Sequence, residues 1–382
     1  MSLKVRHDNY FNIKKLFKIK EDYCSTYFDK KIKKKLESYD LSKIGEGAKG
    51  KIYKIYDKKI SIAIKVMFVN DFGLKWSLTS PRWREVKLLL DFTKDVKSNK
   101  IRNLPLTFGY HICKGKDANA IVLYYEYFDN ILKEWLFKVR SEEEWISFIL
   151  QCLVTIKFLR ERYALTHNDL TWVNIMYNKI ESGGYWKYIT NDYDLFIPNE
   201  GYEFIFWDFG SSKSYQFPPR KFEHEILEKT FNTRRDQKYI LDICKRIKMN
   251  QIINRYTYEE LAELFKTKDE MEYKEIVIKE ETKNFEKYAD KSRLPYVLSK
   301  NLAFYLVETN KYEKLKKDRK ENIYNIEDEI PLPPKEIESL LQQIVDNDFE
   351  SDIDIILKKY FTEYINRDYK VNKQDIYNMK SK

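Results

Sequence analysis

Glycine and proline are scarce in this chain, 10 and 9 among 382 residues. That leaves little room for long structureless loops and none for glycine- or proline-rich repeats, and no low-complexity tract is present. Cysteine is rarer still. Cys24, Cys113, Cys152 and Cys244 stand far apart without a C-x-x-C pair, which excludes a sequence-local zinc site and a dense disulfide framework and fits a reducing compartment, cytoplasm or nucleus. Long apolar runs are also missing. No stretch approaches membrane-spanning length and the N-terminus has no apolar signal core, so neither membrane insertion nor secretion is expected.

What is abundant is core material and charge. Hydrophobic residues make up 43% of the chain and aromatic residues 16%, and its 382 residues exceed the usual size of one hydrophobic core, so two lobes in contact are expected. Lys and Arg number 70 against 60 Asp and Glu, a formal charge of +10. Lysine is spread through nearly every segment beside Glu and Asp, the pattern of a solvated surface and not of a nucleic-acid-binding stripe.

Patterning divides the chain in three. Residues 1–40 form a basic extension of helical character, with "FNIKKLFKIKEDY" and the charge run "KKIKKK". Residues 41–127 switch to short Ile-, Val- and Tyr-rich runs, the pattern of a mostly antiparallel sheet, interrupted by one helical interval, "PRWREVKLLLDFTKDV". Residues 128–382 turn helical. "SEEEWISFILQCLVTIKFLRERY" opens with Ser141 and Glu144 in capping-box spacing and carries Ile146, Ile149, Leu150, Leu153 and Ile156 on one face. Two or three strands around the turn "ESGG" are expected between Asn174 and Trp207, and a mainly helical, charged remainder follows. Near the end, Ile337, Leu340, Leu341 and Ile344 share one face of a helix after a Pro-rich turn.

Several polar residues sit where apolar ones would be cheaper. Lys65 lies in the middle of the apolar run "SIAIKV", where an ammonium needs a partner. Glu85, on the helical interval and facing the same way as Leu88 and Leu89, can supply it. "KIGEGAKGKIY" places Gly45, Gly47 and Gly50 between two strand-like runs; such glycines build either a plain hairpin or a loop whose N–H groups approach phosphate oxygens. "THNDLTWVN" holds His167, Asp169 and Asn174 directly after the long buried helix, and "FIFWDFG" ends an apolar strand on Asp208, a carboxylate suited to a hard cation.

Taken in order, G-x-G-x-x-G-x-I, A-I-K, a helical Glu, H-x-D-L-x-x-x-N and D-F-G, these stretches resemble the signature set of the protein kinase superfamily across about residues 40–245. The resemblance implies an α+β, bilobal kinase-like fold, with a small β-rich lobe carrying one helix and a larger, mainly helical lobe extended by C-terminal helices. It implies that the Gly45–Gly50 loop covers ATP phosphates, that Lys65 contacts them and is fixed by Glu85, that Asp169 receives the proton of a substrate hydroxyl, and that Asn174 and Asp208 hold Mg²⁺. His167 would pack under Phe209, and Asp236 would brace the loop. For the adenine pocket it implies Ile44 and Ile52 as roof, Ala63 as the small residue that admits the ring, Met176 as floor, Tyr125 at its back, and Glu126 and Tyr127 as backbone partners of the base. Lys65→Met is then expected to weaken catalysis more than stability.

Departures from the pattern shape the substrate question. Asn168 stands where many relatives carry an Arg that greets a phosphorylated activation loop, so dependence on such a phosphate is not expected. Thr171 and Val173 replace the residues typical of Ser/Thr and Tyr kinases, no A-P-E follows D-F-G, and the interval from Asn174 to Asp208 is long. The loop "HNDLTWVN" is similar to those of haspin-like kinases and of aminoglycoside and choline phosphotransferases, and the composition resembles kinases of large DNA viruses. Transfer to Ser or Thr of a protein is the leading expectation; a small-molecule phosphotransferase and a pseudokinase scaffold stay open.

Overall fold

The computed structural model describes residues 3–17, 40–47, 50–57, 60–69, 76–113, 119–128, 130–217, 234–255, 302–303, 307 and 330–380. The run "KKIKKK", the glycine-loop tip at 48–49 and most of the connection after D-F-G, 218–233, lie outside them. The chain separates into two compact units, one formed by residues 1–135, 142–240 and 346–382, the other by 136–141 and 241–345. The architecture is mixed α+β. No described helix is long and apolar enough to cross a membrane.

In the first unit, helix α1 (Leu3–Phe17) precedes β1 (Asp40–Gly47), β2 (Gly50–Asp57), β3 (Ile60–Val69), α2 (Pro81–Lys97), β4 (Thr107–Cys113) and β5 (Asn119–Glu126). The strands form one antiparallel sheet in the order β1-β2-β3-β5-β4. Its β-branched and aromatic runs suit a pleated, half-buried surface. Pro81 at the first position of α2 has φ preset for a helix start and loses no needed donor. Trp83, Val86, Leu89, Phe92 and Val96 then form its buried stripe at helical spacing.

The chain continues through β6 (Asn130–Ile131), α3 (Leu132–Leu136) and α4 (Glu142–Tyr163). Sequence pattern points to one apolar face on α4, yet it is buried continuously from Trp145 to Leu159. Ser147, Gln151 and Thr155 tolerate that burial because each hydrogen-bonds: Ser147 Oγ to Pro198 O at 2.7 Å, Gln151 Nε2 to Tyr202 O at 3.0 Å, and Thr155 Oγ1 to Gln151 O at 2.7 Å.

Between Asn174 and Trp207 there are four strands where two or three were expected: β7 (Leu165–Thr166) is followed by β8 (Ile175–Lys179), β9 (Tyr185–Ile189), β10 (Asp194–Pro198) and β11 (Tyr202–Phe206). They pair as two antiparallel couples, β8 with β11 and β9 with β10. Short apolar-aromatic runs separated by "ESGG" and "NEG" do not reveal from sequence how often the ladder breaks. Strand β12 (Lys213–Ser214) pairs with β7. Helices α5 (Arg235–Leu241), α6 (Ile243–Arg255), α7 (Lys335–Asp348) and α8 (Ile353–Tyr360) follow. The C-terminal segment does not stay helical: β13 (Ile376–Asn378) joins β9 in parallel.

In the second unit, α6 and α7 are tied by a Lys248–Glu338 ion pair. Gln251 Nε2 adds a bond of 2.7 Å to Ile330 O. On α7, Ile337, Leu341 and Ile344 are buried as the spacing requires, while Leu340, expected on the same face, is only half-buried.

Candidate functional site

Strand β3 places the central cation. Side chains two apart share a face of a strand, so Lys65 points the same way as Ala63, and cross-strand pairing adds Ile52 and Leu123 beside Lys65 and Tyr125 beside Ala63. Lys65 Nζ donates 2.6 Å to Glu85 Oε1 on α2 and 2.8 Å to Asp208 Oδ1 after β11. Residues 20 and 143 positions from the lysine are thus joined on one ammonium. Lys65 and Glu85 are almost fully enclosed, with side chains 4% and 2% exposed, whereas Asp208 is 28% exposed. Burial alone would depress the lysine pKa, but the two carboxylates outweigh it and hold the group above its ordinary value, so the ammonium stays charged.

Asp208 sits in the left-handed region, φ 55°, a conformation costing about 1–3 kcal/mol for a residue other than glycine. Its neighbours hold it there. Trp207 N–H donates to Asn174 O at 2.9 Å, His167 Nε2 lies 2.6 Å from Trp207 O, and Gly210 N–H donates to the Asp208 carboxylate at 3.4 Å. The ring of Phe209 stands 4.7 Å from Phe92 on α2 and 4.8 Å from His167. Phe92 is two turns after Glu85, on the same helix face. A run of three rings in contact, edge-on and then tilted, therefore joins Phe92, Phe209 and His167 and links the helix of Glu85 to the loop of Asp169.

That loop is braced from α5. The buried carboxylate of Asp236 accepts His167 N–H at 2.6 Å and Asn168 N–H at 3.0 Å, and Trp172 N–H donates to Tyr239 OH at 2.8 Å. Burial lifts the Asp236 pKa above its ordinary value in spite of nearby His167 and the two N–H donors. Asn168 has φ 64°, a conformation Asn tolerates better than most residues. A cation approaches it from elsewhere in the chain, since Arg235 Nη1 lies 3.3 Å from Asn168 Oδ1. Asp169 is half-buried and accepts from Ser211 Oγ at 3.5 Å.

Asn174 Nδ2 donates 2.7 Å to Asp169 O, which fixes the amide and turns its Oδ1 the other way. Asn174 and Asp208 offer one amide and one carboxylate oxygen. Among the described residues no cluster of three or more His, Cys, Asp or Glu has metal-binding geometry. Two hard oxygen donors and no more are what Mg²⁺ accepts when phosphate oxygens and water complete its shell, so the donor set fits that ion.

Beside these groups lies a cleft of about 240 Å³. Ile44, Gly45 and Ile52 line it from β1 and β2, and Ala63 from β3. Ile44 is the extra residue of a bulge in the β1–β2 ladder and is 48% exposed, so the bulge re-aims it toward the cleft mouth. Tyr125, Glu126 and Tyr127 form one wall, with Met176 opposite. Phe128, Ile131 and Trp207 line it too and were missed from sequence; Trp207 packs at a tilt against Tyr125 with centroids 4.0 Å apart. The Tyr125 hydroxyl is buried and has no hydrogen-bond partner among the described residues. Glu126 N–H donates to Leu106 O at 2.9 Å, so that N–H is not a donor toward the cleft.

The glycines differ in what they do. At Gly50, φ is 147° and a Cβ would stand 2.2 Å from Val66 O, so only glycine lets β2 approach β3 there. At Gly45 an added Cβ meets nothing closer than 3.8 Å. Gly47 pairs with Gly50 at the strand ends.

No protein-family model matches the chain. A 73-residue stretch is 33% identical to part of "Putative serine/threonine-protein kinase 019R" of Frog virus 3 (isolate Goorha), covering 18% of this chain and 8% of that protein. The likeness thus spans a small part of either chain.

Proposed function

We propose that this chain is an ATP- and Mg²⁺-dependent kinase that transfers the γ-phosphate to a Ser or Thr hydroxyl of a protein. The five-stranded sheet with α2 then serves as the small lobe of a bilobal kinase-like fold. The observation that carries the reading is the buried set Lys65–Glu85–Asp208, whose chain neighbours Ala63 and Trp207 line an apolar cleft. A dry strand position is an unfavourable place for an ammonium, and two carboxylates from distant elements hold it there. The partial likeness to a viral protein named as a serine/threonine kinase supports the same reading.

In this reading the base lies between Ala63 and Met176, against Tyr125, Glu126 and Tyr127, while Lys65 meets the phosphates and Glu85 fixes Lys65. Asn174 and Asp208 would hold Mg²⁺, which neutralises charge on the phosphates when bound. Asp169 accepts or orients the hydroxyl proton. Phosphoryl transfer asks mainly for positioning and charge neutralisation, and these residues supply both.

The test is transfer of labelled γ-phosphate from MgATP by wild type and Asp169→Asn side by side, against generic protein acceptors and the chain itself. Label on protein that vanishes in the variant supports the reading. ATP binding without protein label moves the acceptor to a small molecule. Absence of both transfer and nucleotide binding refutes the enzyme reading and leaves a scaffold.

A further inference from the structure

Helix α1 buries Leu3, Arg6, Tyr10 and Ile13, one stripe at helical spacing, and Arg6 is 0% exposed. A guanidinium on an apolar stripe needs all five donors satisfied, and here they are. Nε and Nη2 grip both carboxylate oxygens of Glu126 at 2.8 Å each; Nη1 reaches Arg102 O at 2.6 Å and Glu203 Oε1 at 2.9 Å, and Nη2 also reaches Leu104 O at 2.7 Å. Burial works against the charge, but Glu126 and Glu203 hold the Arg6 pKa above its ordinary value.

The residues so joined frame the cleft. Glu126 lines it. Glu203 lies on β11, the strand that runs into Trp207 and Asp208, and also accepts from Arg102 Nε at 3.0 Å. Leu106 N–H takes a third place on the Glu126 carboxylate, at 2.9 Å. We infer that Arg6 is a positioning residue: through its fork on Glu126, anchored by its bond to Glu203, α1 holds the β5 wall of the cleft in place. This rests on the nucleotide-binding reading above. Arg6 touches neither the base nor the phosphates; without it, Glu126 keeps a carboxylate beside the cleft with its strongest partner gone. Lys65, Glu85 and Asp169 are untouched by the change, so loss of Arg6 acts on nucleotide affinity and not on the chemical step.

The experiment uses the full chain as wild type, Arg6→Met and Arg6→Lys, with equilibrium MgATP titration, kcat and KM measured at a temperature where each is folded. Arg6→Met should raise Kd and KM for MgATP about tenfold with kcat at saturation within about threefold, the signature of lost ground-state and transition-state binding alike. Arg6→Lys keeps the charge but has three donors and no fork, and should fall between. If Arg6→Met does not fold, Arg6→Lys decides alone. Nucleotide affinity equal to wild type in a less stable variant overturns the inference and makes Arg6 purely structural. A fall in kcat at unchanged KM overturns it as well. If wild type itself binds no MgATP, the nucleotide reading fails and the inference falls with it.

Discussion

Lys65→Met tests whether the buried ion set is a structural tie, a functional one, or both. In the variant Glu85, 2% exposed, loses the ammonium at 2.6 Å, while Asp208, 28% exposed, can turn to water. A buried carboxylate without its partner escapes by taking up a proton. At pH 7 that costs about 1.4 kcal/mol for each of the roughly 2.7 pH units separating the solution from an ordinary glutamate pKa, about 4 kcal/mol in all. Removing the buried lysine returns part of this, so a net loss of about 3 kcal/mol is expected, within the range for breaking a buried pair. At about 2.1 cal/mol/K per residue over 382 residues, that is about 4 °C in Tm. The expectation from sequence, that catalysis suffers more than stability, is thus joined by a measurable stability loss.

The pH dependence makes the reasoning refutable. The variant's deficit should shrink on acidification, because protonating Glu85 becomes cheaper by about 1.4 kcal/mol per pH unit. It should shrink again above about pH 10.5, because wild-type stability from a lysine with raised pKa is fully present below the unfolded value and is lost as pH rises through the folded one. The assay is thermal melting of wild type, Lys65→Met and Lys65→Met/Glu85→Leu at several pH values, with phosphate transfer measured beside it. The double variant should recover most of the stability, since an apolar pair replaces the ions, and none of the transfer. A single variant melting within about 2 °C of wild type at pH 7 would refute the dry environment argued for Glu85. Wild-type transfer by the double variant would refute any chemical role for the lysine.

Gly50→Ala should lower Tm, since a left-handed backbone angle alone costs about 1–3 kcal/mol and the new Cβ would also meet Val66 O at 2.2 Å. Gly45→Ala, with open space around it, should not; equal losses in thermal melts would show that Gly50 is not needed for close strand approach. Burial acts to raise the Glu203 pKa, but Arg102 and Arg6 overcome it and hold the carboxyl below its ordinary 4.5. Its stabilisation is thus present above that value and lost as pH falls through it, so the Tm gap between wild type and Glu203→Gln should narrow from pH 7 to 3.5, and a constant gap counts against an ionised Glu203. Asp208→Asn keeps a residue that tolerates φ 55° and leaves Lys65 with Glu85. Transfer should fall at least about a hundredfold with little change in Tm; transfer near the wild-type rate would remove Asp208 from the metal site.

How legible was this in the sequence? Local pattern named the sheet, α2 and α4, because side-chain periodicity is written in consecutive residues. Lys65 could be singled out because a charge in an apolar strand is conspicuous, and a helical Glu 20 residues on was an obvious partner. The same logic applies to Arg6, a cation on the apolar stripe of α1, but its partners lie 120 and 197 positions away and nothing local points to them. The four-strand arrangement around "ESGG" was undercounted because ladder breaks depend on which strand each run finds. Trp207 and Tyr239 escaped notice for a simpler reason: an aromatic residue beside a recognised polar one reads as ordinary core until its contacts are seen.

The two buried cations also show how similar chemistry separates a group that positions others from one open to a ligand. Arg6, itself 0% exposed, spends five donors on five acceptors, and a saturated guanidinium has nothing left to offer a ligand directly. Lys65 is nearly as buried, but one of its two carboxylates, Asp208, is partly exposed, held in a strained backbone conformation, and next in sequence to Trp207, which lines the cleft. Strain of that kind persists only where surrounding contacts overdetermine it, and here they come from the Asn174 carbonyl, from His167 acting through Trp207, and from Lys65 itself. A set built only for stability would have no reason to place its one accessible carboxylate on a left-handed backbone. Accessibility and strain falling on the same residue are what support the proposed roles of Asp208 and, with it, Lys65.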